Sequence, residues 1–163
     1  KLASNIPVAM ALGTGLLFTG IAGEDAAVTA RTSLTAAAYT LGGNFLTKWA
    51  VGRARPADEL GSGSFNSFGP GATQSSFGSN HVALAFALAT PFARQYDNPW
   101  LYALAGTTAI GRIQNREHWL SDTVAGGLLG YAIGTISYES QQGGKRNLRL
   151  STTGQAVNAT WSY

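Results

Sequence analysis

At 163 residues the chain has the size of one ordinary domain, large enough to bury a core without a disulfide or structural metal. It holds no cysteine, which excludes thiolate catalysis, zinc knuckles and redox switching and leaves the compartment open. Eleven Lys and Arg against eight Asp and Glu leave a net charge of +3, too small to argue for a nucleic-acid partner but compatible with a compact anionic ligand.

Ser4 or Asn5 offers an N-cap to the uncharged stretch Ile6 to Ala22, and Gly20 or Gly23 offers an end. At about 17 residues this stretch lies at the lower limit for crossing a bilayer, and it reads as a buried helix over 6–21. A second helix is expected from Glu24 to about Gly52, with two acids in its first turn and with Gly42, Gly43 and Gly52 weakening its continuity. Pro56 disfavours helical geometry at Arg55, so the helix should stop near there. Residues 57–78, rich in Gly and Ser, read as a loop. Ser79 and Asn80 stand where helix caps belong, ahead of the apolar run that opens a third helix. Asn98-Pro99 opens a fourth over Pro99 to Gly111, a polar link Arg112 to Glu117 follows, and a fifth runs from about Leu120 to Ser137. The later apolar runs are shorter than the first, and the near-zero mean hydropathy argues against a bundle of spanning helices. A membrane-surface location stays open.

After Glu139 the chain has no acid and carries Lys145, Arg146 and Arg149. Leu148 and Leu150, then Val157, Ala159, Trp161 and Tyr163, alternate with other residues around a turn-like Thr152 to Gln155, which is a hairpin pattern. An isolated hairpin is marginal, so it should pack on the helices or on another subunit, or else be a disordered tail. The expected fold is therefore all-α: a single bundle of about five helices over residues 1–140, with a tail or short β-hairpin over 141–163. A chain that begins at Lys rather than Met is expected to have lost a processed or trimmed leader.

Chemistry concentrates in three segments at helix–loop boundaries: Lys48 to Pro56, Ser79 to His81, and Arg112 to Asp122. Both histidines of the chain lie in them. If the second helix is unbroken, Lys48 and Arg55 are two turns apart on one face and can grip one anion. A helix opening at Ser79 and Asn80 presents free backbone N–H groups, and its positive dipole end, to a phosphate. His81 stands beside it. If the turn holding His118 and Asp122 is helical, their four-residue spacing lets the carboxylate bond one ring nitrogen, leaving the other free to attack.

Lys, six residues, Arg-Pro; then Ser-x-His; then Arg, five residues, His, three residues, Asp: this pattern resembles the signature of the type 2 phosphatidic acid phosphatase superfamily, which includes bacterial class A acid phosphatases and vanadium haloperoxidases. The resemblance covers Lys48 to Asp122, about half the chain. The second motif departs from the family's Pro-Ser-Gly-His by reading Gly78-Ser79-Asn80-His81, and Gly111 stands where the family carries a serine before Arg112. The missing hydroxyl removes one charge-assisted hydrogen bond, worth about 1 to 3 kcal/mol. Asn80 replaces a glycine whose backbone approaches the phosphate, at a position where asparagine tolerates unusual dihedrals better than most residues.

The resemblance implies that His118 forms a phosphohistidine, Asp122 orients it and His81 protonates the leaving alkoxide. It assigns Lys48, Arg55 and Arg112 to the equatorial phosphate oxygens, aided by backbone N–H groups near Ser79 and Asn80. It implies no cofactor and no metal, a small phosphorylated substrate with lipid phosphates among the options, and a periplasmic or cell-envelope location. Nucleic acid is not expected as a partner, whereas peripheral membrane contact and a homo-oligomer stay open. Two other readings are kept: a vanadate-dependent haloperoxidase, with vanadate as cofactor on His118, and a non-catalytic anion-binding or membrane-associated protein. Arg53, Arg116 and Glu117 match no motif position and read as solvated surface charge or as contacts at the rim of the site. Trp49, Phe65, Phe68 and Trp119 read as core rather than as a substrate mouth. The sequon at Asn158 carries no weight.

Overall fold

Alanine dominates the helix at the centre of the molecule. In the computed structural model, which describes residues 5–18, 21–69, 75–147, 149–153 and 156–160, that helix is α3 (Asn80–Gln95). Val82, Ala83, Ala85, Ala87, Leu88, Ala89, Thr90, Pro91 and Ala93 of α3 are all buried. So many short side chains let four other helices close around it: α1 (Ile6–Phe18), α2 (Glu24–Val51), α4 (Trp100–Gln114) and α5 (Leu120–Asn147) all contact α3. The all-α reading holds. The Ser4 cap and the Gly20 end expected for the first helix lie outside the described residues.

Helix α5 comes closest to α3, and its glycines explain how. Gly126, Gly130 and Gly134 repeat every four residues and so form one stripe on α5. A Cβ on Gly130 would stand 2.1 Å from the Ala83 carbonyl oxygen, and one on Gly134 would stand 2.7 Å from Cβ of Thr90. Both neighbours are rigid, so the helices would have to separate. Gly130→Ala is expected to destabilise the fold by about 1 to 3 kcal/mol, as overpacking does. Urea unfolding measures the loss, and an unchanged midpoint would contradict the packing account.

Helix boundaries differ from the sequence reading where the site is built. Helix α2 runs unbroken through Gly42 and Gly43, because its buried face of Ala, Thr, Ser and Asn is anchored along its length. It ends at Val51, four residues before Arg55. Gly52 takes the left-handed conformation at φ 56° and donates its N–H to the Lys48 carbonyl. Only glycine fits there, since a Cβ would stand 2.0 Å from the Asn66 carbonyl oxygen. A 3-10 turn, Pro56–Asp58, follows. Helix α4 extends to Gln114 and so holds Arg112 in its last turn, and α5 continues past Ser137 to Asn147.

Strands β1 (Arg149–Thr153) and β2 (Ala156–Thr160) pair antiparallel, with Arg149 opposite Thr160 and Thr153 opposite Ala156. Residues 154–155, which hold the centre of the expected turn, and residues 161–163 lie outside the described residues. Among the described residues no helix is long and apolar enough to cross a membrane.

Candidate active site

All three motif segments meet at one end of the bundle, where α2 ends, α3 begins, and α4 passes into α5. Lys48 lies in the last turn of α2, and Arg55 lies in the extended segment after it. The expected shared helical face therefore does not exist. The two cations instead converge on one loop residue: Lys48 Nζ donates to the Ser75 carbonyl, and Arg55 Nη2 donates to Ser75 Oγ at 3.3 Å. Arg112 enters from α4 and is 8% exposed.

Electrostatics confirms the convergence. Burial, together with the charges of Arg55 and Arg112, lowers the Lys48 ammonium to about 8 despite the opposing field of Asp122. Burial and the charge of Arg55 lower Arg112 as well. Burial, then Arg112, Lys48 and Arg55, pull His81 below its ordinary value. His81 thus stands within the field of all three cations.

His118 is 3% exposed, and its Nδ1 lies 2.8 Å from the Ser76 carbonyl oxygen. A carbonyl can only accept, so Nδ1 carries the proton and the neutral ring keeps its lone pair on Nε2. Burial, then the Lys48 charge, with smaller contributions from Arg112 and Arg55, lower the imidazole to about 4 against the opposing hydrogen bond to Ser76. The ring is neutral from mildly acidic pH upward.

The expected bond between Asp122 and the imidazole is replaced by another arrangement. His118 precedes α5, which begins at Leu120, so the spacing of 118 and 122 does not have helical geometry. The Asp122 carboxylate, 0% exposed, turns to three other partners. Oδ1 accepts from Arg53 Nη1 at 2.7 Å, and Oδ2 accepts from Ser76 Oγ at 2.5 Å and from the Trp119 N–H at 2.9 Å. Asp122 therefore bonds the residue whose carbonyl holds His118.

The second motif is also built differently from the expectation. The Ser79 N–H is not free for an anion, because it donates to the Asp122 carbonyl at 3.1 Å. The Asn80 side chain is tied back as well. Fully buried Asn44 of α2 donates from Nδ2 to the Gly78 carbonyl at 2.8 Å and to Asn80 Oδ1 at 2.5 Å. Gly78 has φ 72°, and a Cβ there would stand 2.1 Å from Asn44 Oδ1. The departures at 78 and 80 are thus one packing unit with Asn44. The first helical N–H returned to the chain is that of Ala83, to the Ser79 carbonyl, which leaves Asn80, His81 and Val82 outside the α3 ladder. Ser79 Oγ and Arg112 Nε are buried without a hydrogen-bond partner. The unpaired Nε belongs to one of the three converging cations, and a buried guanidinium with a donor left over is suited to an anion.

Three residues read as surface or loop belong to this site. Arg53 is 11% exposed at its side chain and paired with Asp122, so the surface reading is overturned. Glu117, half-buried and paired with the Arg112 guanidinium, takes the rim-contact alternative. Ser76 gave no signal, being one serine among many in a low-information loop. Arg116 fits its surface reading, pairing with exposed Glu59 and the Pro56 carbonyl. Trp119 is half-buried, with its Nε1 donating to the Ala54 carbonyl at 3.0 Å, and the core reading fails for the other aromatics. Trp49, Phe65 and Phe68 are about half exposed or more, and Trp49 meets Phe68 edge-on at 4.8 Å. Among the described residues no three His, Asp or Glu side chains gather as a metal site requires.

Lipid A 1-phosphatase from Porphyromonas gingivalis is 36% identical over 106 residues, covering 59% of this chain and 24% of that protein. The chain thus matches about a quarter of that relative's length. No solved structure matches. The family model described as the PAP2 superfamily matches residues 27–146, which include every motif position from Lys48 to Asp122, and the chain belongs to that superfamily.

Proposed function

We propose that this domain is a metal-independent phosphatase that hydrolyses phosphate monoesters carried on lipids, with His118 as nucleophile. The observation that carries the reading is the neutral, buried imidazole. Its Nδ1 proton is committed to Ser76, and its Nε2 lone pair is available within the field of Lys48, Arg55 and Arg112. Nε2 attacks phosphorus, the P–O bond to the leaving group breaks, and His81 gives its proton to the departing alkoxide. Water then attacks the phosphohistidine, returns a proton to His81, and releases inorganic phosphate. The three side-chain cations supply the charge stabilisation that metal ions supply in other phosphoryl-transfer sites. A lipid substrate is supported by the similarity to a lipid A 1-phosphatase and by the inverted surface of the bundle. Small residues fill the interior, while Leu12, Leu16, Phe45, Leu46 and Leu128 are more than 60% exposed.

Release of phosphate from an aryl phosphate, from phosphatidic acid in vesicles and from lipid A 1-phosphate, each with and without chelator, tests this reading. Hydrolysis unaffected by chelator and favouring a lipid supports it. Phosphate binding without hydrolysis of any ester would overturn it in favour of a non-catalytic anion-binding protein.

The pH profile carries a second check. His118 must be neutral, so kcat/KM rises as pH climbs through about 4. His81 must be protonated, and burial followed by the nearby cations lowers it in the empty site, so kcat/KM falls again below neutrality. A bound phosphate dianion opposes those cations and raises His81, so the alkaline limb of kcat should lie at higher pH than that of kcat/KM. Neutralisation of Lys48 near 8 adds to the decline. A rate still rising at pH 9 would contradict the assignment.

A further inference from the structure

We propose that Arg53 is a positioning residue for the His118 imidazole, acting through Asp122 and Ser76. The inference rests on the phosphatase reading for its kinetic consequences, and on geometry alone for its structural ones.

Arg53 commits its Nε and Nη1 to the protein itself. Nε donates to the Ser62 carbonyl at 3.0 Å, and Nη1 donates to Ser121 Oγ at 2.6 Å and to Asp122 Oδ1 at 2.7 Å. The guanidinium carbon lies 5.7 Å from the Phe65 ring centre and 5.4 Å from that of Trp119. A cation held this way is an anchor rather than a phosphate ligand.

Two routes lead from it to His118. In the first, Arg53 holds Ser76 at both of its donors. The Arg53 carbonyl accepts the Ser76 N–H at 2.9 Å, and the Arg53 guanidinium fixes the carboxylate that accepts the Ser76 hydroxyl. Ser76 is 0% exposed, and its third polar group, the carbonyl, receives the His118 proton. In the second, Arg53 stacks on Trp119, the residue next to His118, whose own N–H is capped by Asp122. Ring and carbonyl are thus registered by one guanidinium. Rotation of either would release the Nδ1 proton and allow the tautomer with its lone pair on the wrong nitrogen.

Lysine retains the charge facing Asp122 but neither the forked donors nor the flat stacking face. Arg53→Gln is therefore expected to lower kcat by about 10- to 100-fold, the usual effect of losing an outer-shell partner, with KM within about twofold of the original. Arg53→Lys should recover part of that loss. Ser76→Ala, which keeps the carbonyl and removes only the hydroxyl, should move kcat in the same direction by less. Rates are referred to the folded fraction measured by circular dichroism.

The decisive measurement is the nitrogen-15 spectrum of the two histidines. His118 should be the Nδ1–H tautomer in the original protein, and should shift toward a tautomer mixture in Arg53→Gln, and less so in Ser76→Ala. An unchanged His118 tautomer in both variants would overturn the proposal, as would a rate loss confined to KM. Because this spectrum needs no turnover, a protein that hydrolyses nothing would sink the phosphatase reading while still deciding the role of Arg53.

Discussion

Replacing His118 with Gln is expected to lower phosphate release by about 10,000-fold or more, because the amide that then faces the Ser76 carbonyl has no lone pair able to attack phosphorus and His81 is committed to proton transfer. The effect should be chemical rather than structural. Glutamine carries an amide donor that can still bond the Ser76 carbonyl, which at present receives the Nδ1 proton. Lys48, Arg55 and Arg112 remain, so inorganic phosphate should bind within several-fold of its original affinity. The two results together distinguish a lost nucleophile from a collapsed pocket. Acid quench after mixing with a radiolabelled monoester adds a direct test. The original protein should carry acid-labile phosphate on histidine, and the variant should carry none. Residual turnover above about one part in a hundred would remove His118 from the role.

The parts of this site legible in the sequence were those governed by residue type at fixed spacing. Lys48, Arg55, His81, Arg112 and His118 are the rare titratable groups in a chain poor in charge, and all of them come together. Helix number and order were legible too, because caps and prolines punctuate the apolar runs. What stayed hidden was geometry that depends on where a helix stops. The shared face assumed for Lys48 and Arg55 fails because Gly52 turns the chain out of α2. The direct bond assumed between Asp122 and His118 fails because α5 starts two residues after the histidine. Arg53 was misread for a related reason. Two residues from a motif arginine, nothing in its spacing marks it as buried, and the groups that cover its side chain, Phe65, Trp119, Ser121 and Asp122, are 12 or more residues away in sequence. The exposed aromatics were misread because the core reading rested on residue type, and large apolar side chains are usually buried, whereas Trp49 at the end of α2 and Phe65 and Phe68 in the loop after it lie at the surface.

Asp122→Ala should be the most destabilising single change at this site, by about 3 to 5 kcal/mol, the usual consequence of removing one partner from a buried ion pair. Three groups lose their acceptor together: the Arg53 guanidinium, the Ser76 hydroxyl and the Trp119 N–H. For a chain of this length the loss corresponds to a Tm lower by about 6 to 20 °C. Urea unfolding checks it, and a midpoint equivalent to less than about 1 kcal/mol would contradict the buried pair. Turnover should fall as well, but a single variant cannot separate the two effects. The double variant Arg53→Met with Asp122→Leu can. Replacing both members of a buried pair by apolar residues removes the uncompensated charge, so stability should return in part. Catalysis should not return with it. Neither methionine nor leucine can hold the Ser76 hydroxyl or cap Trp119, so the carbonyl that fixes the His118 tautomer stays unanchored in a protein that folds. Recovery of turnover alongside stability would instead mean that the pair serves the fold alone.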